Sequence, residues 1–494
     1  MGVRRRVRSA TLAVVACVCL GAPMLGVDAA GATAASPTVT PATGGGGVPV
    51  VPGFTAFDLA TVGYQQSEVF LSGTAHAYQP AAPFGTDGKF SVAESATAPY
   101  TTRAVVVRPT QKHKFNGTVV VEWLNVSGGA DAGPDWILAH NQLVREGFVW
   151  VGVSAQKVGV DALRSTDPLR GDAVRYAGLS HPGDSFSYDI YSQAAQAIRD
   201  NPRAVLGGLR ADHVLAVGES QSAGRLVTYI DAVHPVAQVY DGFLVHSRAA
   251  GGAPLAQPPQ TTVTVPSPTP IRDDLGVPVL VFQTETDVLF SNLGARQPDT
   301  DRYRLWEVAG TAHFDFYGLS IGRTDIGDGQ GAVQVLDSMQ HPTNQPNPNF
   351  TCDAPINTGP AHFVLDAAFH RLDRWVSAGV LPPVAPRLET LGSSPVTFAK
   401  DANGNVLGGI RTPAVDAPVA TLSGSPTGGS QFCFLFGTTT PFTPDQLAAL
   451  YANHGQFVSA SSKAAEASHA AGFLVAADTR ELIVAASQSA IPAA

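Results

Sequence analysis

Apolar residues along this chain gather in two kinds of stretch. Short continuous runs occur at Thr118-Val-Val-Val-Glu-Trp-Leu-Asn125, Phe148–Val153, Val214–Val217, Gly242–Val245 and Val277-Pro-Val-Leu-Val-Phe282, with another over Arg304-Leu-Trp-Glu-Val308. Such runs, short and without alternation, mark strands covered on both faces. Stretches near Pro134–Glu146 and Tyr188–Arg199 read instead as helices, and residues 64–78 and 100–108 as earlier strands. Ala361–Ala378 repeats apolar side chains at helical intervals and stops at Gly379, with Pro382 and Pro383 beyond it. Strands and helices alternating in this way predict an α/β fold, a mostly parallel central sheet with helices on both faces.

Several segments break the pattern. The chain opens with Arg4-Arg-Arg-Val-Arg8, an apolar stretch from Ala10 to about Val27, and small residues from Ala29 to Ala35. That is the three-part form of a secretory signal peptide over residues 1–35, with cleavage expected after Ala29 or Ala34. The next residues, through Gly47, are rich in Ala, Thr, Gly and Pro and are expected to be disordered. A Pro-, Thr- and Ala-rich insertion, residues 248–276, falls where a lid over a pocket would lie. From residue 385 the chain carries a hairpin-like turn at Ala402-Asn-Gly-Asn405, then helices near Pro444–Asn453 and Val458–Ala471. The expected units are therefore 1–35, a core over 36–384, and a C-terminal extension over 385–494 packed on that core as a cap.

Charge and cysteine content narrow the setting. The whole chain carries a formal charge of −9, and loss of the leader would remove four arginines and one aspartate. An acidic surface disfavours nucleic acid and anionic membranes as partners, and no other segment is long and apolar enough for a membrane span. Cys17 and Cys19 leave with the leader, so Cys352 and Cys433 remain as an even pair in an oxidising compartment and predict one disulfide. It would close a loop of about 80 residues and contribute up to about 4–5 kcal/mol. These cysteines lack zinc-site spacing, Asp325-Ile-Gly-Asp-Gly329 lacks the ordered ligands of a calcium loop, and no metal or cofactor is expected.

The chemistry concentrates at three strand ends. Val214-Leu-Ala-Val-Gly-Glu-Ser-Gln-Ser-Ala-Gly224 runs an apolar strand into a tight turn of small residues at Ser220, and a helix begins behind it. This is a nucleophile elbow, Gly-x-Ser-x-Gly, with Ser222 in place of the last glycine. The turn strains the serine backbone, and small neighbours allow the close approach that results. A serine hydroxyl is a poor nucleophile at neutral pH; it needs an imidazole to take its proton and a carboxylate to hold that imidazole's tautomer. Asp287, with Glu285 as the alternative acid, ends the strand Val277–Phe282, and His313 follows the strand Arg304–Val308 by way of Gly310-Thr-Ala. His246, at the end of Gly242–Val245, is a weaker candidate that could line a pocket. The oxyanion hole is expected from the backbone N–H of Gln221 and from one amide after the strand at 118–125, that of Asn125 or Val126, with Gly128 and Gly129 letting the loop turn.

Gly218-Glu-Ser-Gln-Ser222, Val121-Glu-Trp-Leu-Asn-Val-Ser-Gly-Gly129 and Gln283-Thr-Glu-Thr-Asp287 resemble the α/β-hydrolase superfamily, in particular the secreted "α/β hydrolase domain" proteins. The order Ser220, Asp287, His313 is also that superfamily's order. The resemblance extends over nearly the whole chain after the leader. It implies an α/β-hydrolase fold with lid insertions and a C-terminal cap, and a secreted serine hydrolase acting on a small-molecule or lipid-like carboxylic ester through an acyl-enzyme. Amide or polyester hydrolysis on the same triad, or a non-catalytic binding protein on the same fold, are the alternatives.

Overall fold

A computed structural model describes residues 2, 34–45, 49, 51, 54–290, 292–392 and 394–491. The expected signal peptide, Gly2, Ala34 and Ala35 apart, lies outside the described residues, with Cys17 and Cys19.

Nine strands form one sheet: β1 (Thr38–Pro41), β2 (Tyr64–Pro80), β3 (Val92–Pro109), β4 (Thr118–Trp123), β5 (Val149–Val153), β6 (His213–Glu219), β7 (Gly242–His246), β8 (Val279–Thr284) and β9 (Tyr303–Val308). Their spatial order is β1-β2-β3-β5-β4-β6-β7-β8-β9. The six strands from β5 to β9 are parallel, and β1, β2 and β3 add an antiparallel edge. The antiparallel part includes a long β2–β3 hairpin whose register shifts between His76 and Tyr78.

The apolar runs fall on the parallel strands because both sheet faces are covered. Along β4, Val119 and Val121 join one core cluster and Val120 the other; along β6, Val214 and Ala216 separate in the same way from Leu215 and Val217. Each fully buried Val or Leu contributes about 1.5–3 kcal/mol relative to exposure, so neither face of these strands can be left to water. The helix at Ala361–Ala378 ends as the sequence implies, with Gly379 left-handed at φ 68°. It packs on the parallel strands through Phe363, Phe369 and Leu372.

One expectation about the rest of the chain is corrected. Residues 38–41, expected to be disordered, pair with β2 from Thr38–Ser72 to Pro41–Val69. Thr-Val-Thr suits a strand, and the exposed edge of β2 offers unpaired backbone groups to receive it. Residues after 384 pack against the parallel sheet. Ile410 sits beside β9, donating to Glu307 O at 2.7 Å and accepting from Ala309 N at 3.0 Å. Leu388, Val406, Val415 and Leu422 share a cluster with Phe282, Trp306 and Val308. The C-terminal region thus shares the core of the sheet. Among the described residues no helix is long and apolar enough to cross a membrane.

Candidate active site

The sharp turn after β6 sets the first group. Ser220 stands between β6 and the helix Gln221–Thr228 with φ 59° and ψ −115°, a conformation costing about 1–3 kcal/mol for a residue with a side chain. Its N–H donates to His246 O at 2.9 Å, which ties the turn to the neighbouring strand. A Cβ at Gly218 would stand 3.1 Å from the carbonyl carbon and oxygen of Ser222, so the first glycine is needed for the crossing. Ser222 is fully buried and small enough to be accommodated.

The ends of β8 and β9 bring the other two groups to the same edge. His313 Nε2 lies 2.8 Å from Ser220 Oγ, and its Nδ1 lies 2.6 Å from Asp287 Oδ1. The second carboxylate oxygen of Asp287 accepts from Thr284 N at 2.7 Å, Thr284 Oγ1 at 2.8 Å and Ser247 Oγ at 2.8 Å. Burial alone would raise the Asp287 pKa, but the charge and hydrogen bond of His313, with the Thr284 donors, hold it below the usual carboxylate value. Burial likewise works against a charged His313; the Asp287 carboxylate, and after it Glu219, overcome this and lift the imidazole to about 9.

Glu285, the alternative acid, is engaged elsewhere. Its Oε1 accepts from Gly310 N at 2.6 Å and its Oε2 from Gly424 N at 2.8 Å. It is fully buried, and burial raises its pKa to about 7 against these two backbone donors. It fastens the turn leading to His313 to the C-terminal region. His246 does not line the pocket: it is buried, with Nδ1 2.8 Å from Asp135 Oδ1, and burial lowers its pKa to about 4.

The expectation for the oxyanion loop needs correction at Asn125. Its backbone N–H donates to Ala132 O at 2.9 Å, and Ala132 N returns the bond to Asn125 O at 2.9 Å, so that amide closes the loop and is not open to a substrate. Ser127 N is held by Asn125 Oδ1 at 2.8 Å, and Gly129 N by Val126 O at 2.9 Å. Val126 and Gly128 are the remaining amides of the turn. Gln221, the first helical residue behind Ser220, presents an N–H that the helix itself does not use.

Ser220 and His313 open into a cavity of about 460 Å³. Its wall is largely apolar, with Ile137, Phe314, Leu319, Phe350, Leu435 and Phe436 among the residues facing it. No residue of 248–276, the expected lid, borders it. That segment lies instead along the flank of the sheet, where Leu255, Val265 and Ile271 enter the core and Tyr188 Oη donates to Pro254 O at 2.7 Å. Its apolar residues are better buried there than over an open pocket. Residues 125–137, with Leu169 and Arg170, form one part of the cavity wall, and residues 314–323, 347–350 and 432–436 form the other. Cys352 and Cys433 are joined in a disulfide with Cα atoms 5.5 Å apart, fastening two of these pieces together. Phe350 packs edge-on against Phe436 at 5.3 Å between ring centres.

Sequence reasoning missed Glu219, Ser247 and Thr284. Glu219 was visible as the variable position of the elbow, and Thr284 as a polar residue ending a buried strand. Ser247 has a backbone signature only in three dimensions, φ 54°. Among the described residues no three His, Cys, Asp or Glu side chains converge as metal ligands.

Residues 31–484 match the alpha/beta hydrolase domain family, and the chain belongs to that family. Family membership supports hydrolase chemistry. No curated protein matches the sequence. Among solved structures the chain is similar to fungal esterases from Rhizomucor miehei, at 12% identity and a TM-score of 0.22, over 43% of this chain and 66% of that one. It is also similar to a thermostable esterase from Pseudomonas putida, at 14% identity and a TM-score of 0.25, over 47% of this chain and 66% of that one. A serine hydrolase without lid from Xanthomonas campestris matches at 14% identity and a TM-score of 0.27, over 48% of this chain and 86% of that one.

Proposed function

We propose that this protein is an exported serine hydrolase that cleaves carboxylic esters through an acyl-enzyme. The observation that carries the reading is the pair of contacts at His313, 2.8 Å to Ser220 Oγ and 2.6 Å to Asp287 Oδ1, beside an apolar cavity. Ser220 attacks the acyl carbonyl while His313 takes its proton, and Asp287 holds the resulting imidazolium. The Gln221 amide and an amide of Val126 or Gly128 receive the developing oxyanion; one such donor is typically worth about 10²–10³ in turnover. His313 returns the proton to the departing alcohol, and water then releases the acyl group by the same steps in reverse. An ester is favoured over a peptide because the cavity wall is largely apolar, with Phe314, Phe350, Phe436, Leu319 and Ile137 facing it, and a nitrogen leaving group is harder to expel than an alcohol. Export is supported by the arginine-led apolar leader and by the disulfide.

Turnover of nitrophenyl esters of graded acyl length tests the proposal. The wild-type protein should hydrolyse them, and Ser220→Ala should lower the rate by about 10⁶. Undiminished turnover in Ser220→Ala would remove this serine from the mechanism.

A further inference from the structure

His313 touches a second carboxylate that a Ser-His-Asp triad does not require. Glu219 Oε1 lies 3.2 Å from His313 Nε2, the same nitrogen that meets Ser220 Oγ at 2.8 Å. Its other oxygen accepts from Asn125 Nδ2 at 3.1 Å, and that amide also donates to Glu219 O at 3.1 Å. The far end of the Asn125 side chain holds Ser127 N in the oxyanion loop. One buried carboxylate thus connects the imidazole that moves the proton to the loop that is proposed to receive the negative charge.

We propose that Glu219 is a positioning residue of this hydrolase, governing when His313 gives up its proton and fastening the oxyanion loop to it through Asn125. The inference rests on the reading of Ser220 and His313 given above. Nε2 has room for one proton. When His313 is neutral, with its hydrogen on Nδ1 toward Asp287, Nε2 offers a lone pair to the serine hydroxyl, and a carboxylate 3.2 Å away opposes that lone pair. When His313 is an imidazolium, the same N–H can be shared between Ser220 Oγ and Glu219. Glu219 therefore favours the protonated base, which is the form His313 takes once it has accepted the serine proton. The same preference holds the resting enzyme protonated up to a higher pH, delaying the point at which the base becomes free.

The other ionisable groups around Glu219 do not replace His313 in this role. Facing it are His246 at the end of β7, Asp135 at the start of helix Pro134–Arg145, and Asp287 beyond β8. Burial lowers His246 to about 4 and raises Asp135, and the two side chains meet each other at 2.8 Å, Nδ1 to Oδ1, away from the Glu219–His313 contact. Asp287 is anionic and turned to the opposite nitrogen of His313. Arg170 and Arg323 border the same cavity, but both are exposed to solvent. Burial raises Glu219 itself to about 7, with His313 the strongest influence in the other direction.

The test is the pH at which His313 titrates, read two ways: from the acid limb of kcat/KM, and from the low-field Nδ1 proton resonance of the imidazole by NMR. The wild-type midpoint is expected near 9. Glu219→Gln keeps the shape and an oxygen for Asn125 but removes the charge, and should lower both midpoints by about one pH unit or more, as for loss of a close opposite charge. Asn125→Ala should leave the midpoint in place and lower kcat. An unchanged NMR midpoint in Glu219→Gln overturns the proposal, whether or not esters are turned over. Absence of wild-type turnover would instead count against the hydrolase reading while the NMR titration still decides this one. If Glu219→Gln does not fold, Glu219→Asp, which draws the carboxylate back by one methylene, must move the midpoint in the same direction by a smaller step; no movement overturns it.

Discussion

The cavity has two sides, built in different ways. On one side Ser220, Asp287 and His313 each stand one turn beyond a parallel strand, and the backbone of that turn fixes the side chain. On the other side, residues 314–323, 347–350 and 432–436 form a wall from segments far apart in the chain, fastened by Cys352–Cys433. The first side is set by local geometry repeated at adjacent strand ends, which is where open parallel sheets gather reactive groups. The second depends on long-range packing, with Phe350 against Phe436 and the Phe314 amide donating to Leu435 O at 3.5 Å. Reactivity and substrate fit should therefore respond to different substitutions.

The sharpest separation lies within a single turn. Asp287 and Glu285 are two residues apart, yet one meets the imidazole and the other meets Gly310 N and Gly424 N. Asp287→Asn should lower turnover by about 10⁴, because the amide no longer fixes the imidazole tautomer. Glu285→Gln should change turnover only a few-fold and instead lower thermal stability. Its amide NH₂ would face a backbone N–H, leaving a buried donor unsatisfied at a cost of about 1–3 kcal/mol. If both variants lost activity equally with unchanged melting, the two carboxylates would not have separate roles.

The disulfide tests the other wall. Replacing Cys352 and Cys433 by serine should cost about 2–5 kcal/mol of stability. It should raise KM for long or aromatic esters more than for acetyl esters, because the Phe350–Phe436 wall loosens while the triad stays in place. Steady-state kinetics across acyl length, beside a melting curve, would show both. The smallest effect is expected at Ser247. Ser247→Ala removes one donor from Asp287 while both Thr284 donors remain, and should lower kcat about three- to tenfold with little change in KM.

The two sides also differed in how far the sequence revealed them. Ser220, Asp287 and His313 could be read because each follows an apolar run of strand type, and small residues mark the turns beside Ser220 and His313. Asn125 was found as a residue but in the wrong role: its amide looks free in a linear reading, and only the folded loop shows it bonded to Ala132. The linear position of 248–276 fits a lid or a plain surface loop equally, whereas Leu255, Val265 and Ile271 have enough apolar surface to bury along the sheet. Nothing in the linear order links Phe350 to Phe436 or Gly424 to Glu285. Glu219 occupied a position where the motif tolerates any residue, so its contact with His313 had no sequence signal of its own.

The proposed acyl-enzyme requires that Ser220 is the group that becomes acylated. Treating the folded protein with a fluorophosphonate and mapping the adduct by peptide mass spectrometry reads this out at the residue itself. A single stoichiometric adduct is expected on Ser220, formed with the same pH dependence as ester turnover and absent from Ser220→Ala. An adduct on a different residue, or an esterase-active protein whose Ser220 peptide stays unmodified as activity is lost, would contradict it.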